Sequence, residues 1–250
     1  MVAFVTGGAV GIGREIALTF AEKGYDIAIS YMSSKENAEK VVSQIEAMGR
    51  KAIMIKADIS KYDDILNMFD EFKNHFDTID VFINNAGVTE KAPFLETTEK
   101  TFDNICNVDF KGAFFCMQQT AKIMIEHNTK GSIIVISSNN AIVHFADVSV
   151  YGSVKTAVNK LAEHAAIELA KYKIRVNAVA PGWTDTGAAR LDAKEETYYK
   201  IPLNQWATTR EISEACIYLS SPAASSITGA TLVIDNGASL VSDKRERYGF

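Results

Sequence analysis

Short runs of β-branched and aliphatic residues alternate with longer amphipathic stretches along the whole chain, and this alternation constrains the fold more than any single motif. "VAFVT" (2–6) precedes a helical pattern in which Ile16, Leu18, Phe20 and Ala21 form an apolar surface and Gly24 marks a stop. "DIAIS" (26–30) precedes a second pattern, through Val41, Val42 and Ile45 to Gly49. "AIMIK" (52–56) leads to a helix around Ile65–Phe76, and "IDVFIN" (79–84) to a long helical tract over roughly 99–127. "SIIVIS" (132–137), "IRVNAV" (174–179) and "ATLVID" (230–235) complete the set of strands. Strands that read as continuous apolar runs are buried on both faces, which calls for a parallel sheet with helices on either side. The expectation is an α/β fold: one domain over 1–250, a doubly wound sheet of about seven parallel strands. The irregular stretch at about 183–210 reads as a substrate loop.

Charge narrows the class of partner. With 26 Lys and Arg against 31 Asp and Glu the net charge is −5, which argues against nucleic acid or an anionic membrane surface. No apolar run reaches the length of a membrane span, and "MVAFVTGGAV" lacks the basic start of a secretory signal. Cys106, Cys116 and Cys216 are scattered without a C-x-x-C pair, as in a protein of a reducing compartment. A cytoplasmic protein is expected, with no metal site, because no His, Cys, Asp and Glu cluster has ligand spacing.

"TGGAVGIG" (6–13) joins the first strand to the first helix. Gly7, Gly11 and Gly13 give G-x-x-x-G-x-G rather than G-x-G-x-x-G, yet the physical reason is alike. Glycines let the backbone turn tightly against a pyrophosphate that faces the N-terminus of the helix. A glycine loop in isolation is weak evidence; after strand one of an alternating chain it points to a nucleotide site on a Rossmann-type sheet. "YGSVK" (151–155) is a second feature, since on a helix its tyrosine and lysine lie about one turn apart on one face. Most pairs with that spacing are a surface aromatic and a solvated lysine.

These motifs occur with "NNAG" (84–87), "ISS" (136–138), "PGWTDT" (181–186), "IPLNQW" (201–206) and "ITGATLVIDNG" (227–237). Together they resemble the short-chain dehydrogenase/reductase family over nearly the whole chain, in its β-ketoacyl-carrier-protein reductase and sugar dehydrogenase branch. The resemblance implies hydride transfer between a nicotinamide and a ketone or secondary alcohol. By motif position Ser138, Tyr151 and Lys155 are the catalytic serine, tyrosine and lysine. A free phenol titrates near ~10. A neighbouring ammonium and the oxidised nicotinamide favour the phenolate, so the tyrosine acts as acid or base. The serine would bind the substrate oxygen and the lysine the nicotinamide ribose. In "FDNICNVDFKGAFF" (102–115), counted from Gly112, Asp109 stands where the family has a catalytic Asn whose main-chain carbonyl holds a relay water. Any residue supplies that carbonyl, so Asp109 is expected to act through its main chain alone.

The cofactor contacts that the resemblance implies are Gly7, Gly11, Ile12 and Gly13 in the loop, and Asp58 and Ile59 of "ADIS" at the adenine. Asn85, Ala86 and Gly87 fall on the adenosine side. Tyr151, Lys155, Pro181, Gly182 and Thr184 follow, with Thr186 at the carboxamide. In "SYMSSK" (30–35), Tyr31 stands where NAD-selecting relatives carry an acid, and Ser33, Ser34 and Lys35 are donors for a 2′-phosphate. That favours NADP over NAD, although Val10 occupies a position often basic in NADP-preferring relatives. The loops 88–96, 139–148 and 183–206, with Trp183, Leu191, Tyr198 and Tyr199, suit a partly apolar small-molecule ketone or alcohol. The leading expectation is NADPH-dependent carbonyl (3-oxoacyl-type) reduction, the alternative a sugar, polyol or steroid alcohol dehydrogenase. A non-catalytic dinucleotide sensor is disfavoured by the presence of both Tyr151 and Lys155. The resemblance also implies a homotetramer paired through helices at about 107–127 and 152–170. The tail 243–250 would be disordered, or pack on a neighbour through Tyr248 and Phe250.

Overall fold

The apolar runs become strands of one sheet: β1 (Val2–Val5), β2 (Asp26–Tyr31), β3 (Ala52–Lys56), β4 (Val81–Asn84), β5 (Ser132–Ile136) and β6 (Arg175–Pro181). Two short strands, β7 (Thr184–Asp185) and β8 (Ala207–Thr208), pair with each other, and β9 (Thr231–Ile234) rejoins the main sheet. These elements come from a computed structural model that describes residues 1–187, 197 and 200–240. The seven main strands run in the order β3-β2-β1-β4-β5-β6-β9, every pair parallel, as the apolar pattern demands.

Helices cover both faces. On one side α1 (Gly11–Glu22), α2 (Lys35–Ala47) and α7 (Thr209–Ser220) bury Ile16, Val41 and Ile212 against Val5, Ile29 and Ile83. On the other, α3 (Tyr62–Lys73), α5 (Ala113–Glu126) and α6 (Ser149–Leu169) bury Phe72, Met117 and Val158 against Phe4 and Phe82. Phe4 is the centre of that second layer, stacked on Phe72 at 5.1 Å and edge-on to Phe82 at 5.7 Å.

The chain winds outward from β1 through β2 to β3, then returns to lay β4 on the other side of β1. The crevice at the carboxyl ends of β1 and β4 is therefore the topological switch point, where a parallel sheet offers its loops to a ligand.

One element departs from its expected form. The tract at 99–127 is not a continuous α-helix: α4 (Glu99–Ile105) passes into a π-helical segment, Cys106–Gly112, before α5 begins. The wider turn faces Asp109 and Gly112 inward while Phe110 stays 38% exposed. Gly112 permits the close approach, since a Cβ there would lie 2.7 Å from the Ile59 carbonyl oxygen. Among the described residues no helix is long and apolar enough to cross a membrane. Residues 188–196, 198–199 and 241–250 lie outside the described residues, and with them Leu191, Tyr198, Tyr199 and the tail.

Candidate active site

The glycine loop is built for close approach and braced from beneath. Gly7 and Gly11 have φ of 64° and 56°, the left-handed region that glycine enters without strain. A Cβ on Gly13 would sit 2.3 Å from the Gly7 carbonyl oxygen. Thr6 Oγ1 accepts the Asn85 and Ala86 amides at 2.9 and 3.0 Å, and Asn85 Nδ2 donates back to the carbonyls of Thr6 and Gly7 at 2.9 and 3.2 Å. Ser30 Oγ accepts from the Gly7 amide at 3.2 Å. Asn85 thus fixes the loop's shape besides bordering the cleft. Val10, the cap residue of α1, supplies no side-chain acceptor. The first amides of α1 therefore remain available for an anion, and this cradle fits a dinucleotide pyrophosphate.

Ser138, Tyr151 and Lys155 line one cavity of ≈ 360 Å³, with Asn85, Asp109 and Gly182. Ser138 follows β5, and its Oγ accepts from the Asn140 amide and from Asn140 Nδ2 at 3.1 and 3.2 Å. A hydroxyl has one hydrogen of its own, so Ser138 still has that one to donate. Tyr151 and Lys155 occupy successive turns of α6, with Lys155 Nζ 5.5 Å from the centre of the phenol ring. Lys155 is 5% exposed and donates to the Ile136 carbonyl at 3.1 Å.

The Asp109 carboxylate lies against the same ammonium. Its Oδ2 is 3.0 Å from Lys155 Nζ, an ion pair with side-chain exposures of 0% and 7% for acid and base. That contact is a charge pairing without directed hydrogen-bond geometry. Oδ1 accepts the Val88 amide at 2.7 Å. Gly87 makes room, since a Cβ there would lie 2.8 Å from Oδ2. The expectation of a main-chain contribution alone is corrected: this side chain contacts the lysine directly.

Asp58, expected at the adenine, lines a separate cleft with Met32 and Lys61. Partial burial of Asp58 works to raise its carboxyl. Hydrogen bonds from Ser60 and the Lys61 ammonium 3.2 Å away outweigh it and hold the group below its ordinary value. Ile59 is buried, and its carbonyl packs against Gly112. Tyr31 stands at the end of β2, as expected. The residue is 9% exposed and belongs to the apolar layer with Ile29 and Val41 under α2. Ser33 and Lys35 are exposed at the start of α2, Lys35 Nζ 3.6 Å from Glu39 Oε1. Thr184 and Pro181 line the central cavity, whereas Thr186 borders the cleft beside Gly11 and Arg14.

Several residues at the site carried no separate signal in the sequence. Thr6 and Ser30 act through contacts across strands, and no local pattern announces them. Trp183, named from the sequence, walls the cavity with Thr89 and Trp206, and Phe145 lies edge-on to it at 5.4 Å. Burial pushes the Cys116 and Cys216 thiols up to about 12, which removes them as nucleophiles.

Comparison with known proteins agrees with this geometry. A family model described as enoyl-(acyl carrier protein) reductase matches residues 7–239. A 3-oxoacyl-[acyl-carrier-protein] reductase of Staphylococcus epidermidis is 36% identical over 238 residues, 94% of this chain and 97% of that protein. An L-rhamnose 1-dehydrogenase (NAD(P)(+)) of a Sphingomonas species is 32% identical over 93% of this chain and 94% of its own. The crystal structure of acetoin dehydrogenase from Salmonella typhimurium superposes with a TM-score of 0.89 at 31% identity, covering 98% of each chain.

Proposed function

The chain belongs to the short-chain dehydrogenase/reductase family, whose members act on CH–OH and C=O groups with a nicotinamide cofactor, and from that premise we propose an NADPH-preferring carbonyl reductase. The observation that carries the reading is the convergence of Ser138, Tyr151 and Lys155 on one cavity beside the glycine loop. When bound, the nicotinamide supplies the hydride that goes to the carbonyl carbon. Ser138 donates its remaining hydrogen to the carbonyl oxygen and holds it toward Tyr151. The phenol then gives that oxygen its proton, leaving an alcohol and a phenolate that solvent reprotonates. Lys155, held between Ile136 and Asp109, keeps a donor for the cofactor ribose.

NADPH preference rests on the absence of an acid at the end of β2 and on the exposed Ser33 and Lys35. The wall of Trp183, Trp206 and Phe145 suits a small, partly apolar ketone, with residues 183–210 as the substrate loop. A sugar or polyol dehydrogenase is the second reading, and the rhamnose dehydrogenase relative favours it. Free thiols at Cys106, Cys116 and Cys216 support a cytoplasmic setting. A homotetramer is proposed through α5 and α6, where Phe110, Phe114 and Leu161 border an open groove of ≈ 580 Å³.

The test is Tyr151→Phe, assayed for reduction of a panel of ketones with each cofactor. Loss of a general acid should lower kcat at least ~10²-fold while cofactor affinity stays. Retention of normal kcat would sink the assignment.

A further inference from the structure

We propose that Asp109 is a charge-compensating positioning residue that biases this site toward carbonyl reduction. The inference rests on the reading of Tyr151 as proton donor and adds the direction in which the donor is tuned.

An unpaired ammonium one turn from a phenol draws it toward phenolate, the form that accepts a proton during alcohol oxidation. Here the ammonium is not unpaired: the Asp109 carboxylate lies 3.0 Å away, both groups are buried, and water does not screen them. At the distance of the phenol, the pair acts as a dipole rather than a full positive charge. The pair therefore pulls the phenol less strongly toward phenolate, and a protonated phenol is the form that ketone reduction consumes.

Few other groups compete. Among the described residues, those around the cavity apart from Asp109, Tyr151 and Lys155 carry no titratable side chain: Ile12 from the glycine loop and α1, Asn85 to Thr89 after β4, Ile136 to Ser138 with β5, and Pro181 to Thr184 with Trp206. On the π turn, Lys111 donates to the Ser60 carbonyl at 3.1 Å and is engaged elsewhere. Cys106, on the same turn, is raised by burial first and then by the negative charges of Asp103 and Asp109, so the Asp109 charge is felt by a neighbour.

The geometry also separates charge from shape. An asparagine at 109 is isosteric, and its amide oxygen can still accept the Val88 amide, the contact that ties the loop after β4 to the π turn. It cannot neutralise Lys155. Asp109→Asn thus removes the compensation and leaves the bracing.

The measurement is a pH titration of ultraviolet tyrosinate absorbance, each protein read against its own Tyr151→Phe counterpart, because the chain has 9 tyrosines. Reduction of 2,3-butanedione with NADPH is followed over the same pH range. Asp109→Asn should bring the Tyr151 tyrosinate signal in at a pH lower by about one unit, a tenfold rise in phenolate fraction. The alkaline limb of diketone reduction should move the same way. If Asp109→Asn does not fold, Asp109→Ser, also neutral, carries the same expectation. An unchanged signal, or one displaced to higher pH, overturns the proposal. The absorbance arm needs no turnover, so a diketone that is not a substrate leaves the test intact. Normal reduction by Tyr151→Phe would instead strike the proton-donor reading itself.

Discussion

In the proposed NADPH preference Lys35 offers an exposed ammonium at the first turn of α2, loosely paired with Glu39 at 3.6 Å. A surface pair of that kind contributes little to stability, so the lysine is free to turn to a 2′-phosphate at small cost. Lys35→Glu places a carboxylate beside Glu39 and should lower kcat/KM for NADPH by roughly tenfold while NADH is little affected, a specificity made by repulsion. Steady-state rates with the two cofactors check it, and an unchanged ratio would remove Lys35 from the binding site. Ser138, Tyr151 and Lys155 were legible in the sequence because helical spacing and motif order are local properties. The Asp109–Lys155 pair was not. It depends on how the π turn faces inward and on how closely Gly87 lets the loop after β4 approach. The burial of Tyr31 was hidden for a related reason: its place at the end of β2 is local, but the direction of its ring follows from the pleat and the cover of α2.

The strands and most helices were readable as elements, since continuous apolar runs and helical apolar surfaces are the signals that burial writes into a sequence. The π segment Cys106–Gly112 escaped because a single wide turn barely disturbs a helical pattern over 99–127. The segment ends on a glycine, Gly112. That glycine offers a test of the element. A methyl group on Gly112 would meet the Ile59 carbonyl oxygen at 2.7 Å, and backbone cannot swing aside as a long side chain would. Gly112→Ala should destabilise the protein by about 1–3 kcal/mol, the range for overpacking. It should also lower kcat, because the turn that must shift carries Asp109. Denaturant unfolding and steady-state kinetics together check this, and a variant as stable as the parent would show the contact to be slack. The β7–β8 pair was equally hidden, because two-residue strands carry no periodicity.

The whole molecule leaves its α5–α6 face with Phe114 39% exposed at the border of an apolar groove. A second copy is the proposed cover. Sedimentation at micromolar concentration should give four times the chain mass, and Leu161→Glu should shift it toward smaller species by burying an unpaired charge. A monomeric mass for the unaltered protein would overturn the assembly. The sheet order has another consequence, and it concerns the growing chain. β1 precedes the other strands of the sheet along the chain, yet it ends inside the sheet, and Val2 donates to an Asp80 oxygen 78 positions further along. Until that stretch leaves the ribosome, β1 has one edge with no neighbour, and closing so long a loop is slow compared with local pairing. A defect in β4 therefore acts twice: it weakens the finished protein, and it prolongs the interval in which a nascent chain presents a sticky apolar edge to chaperones and to other chains.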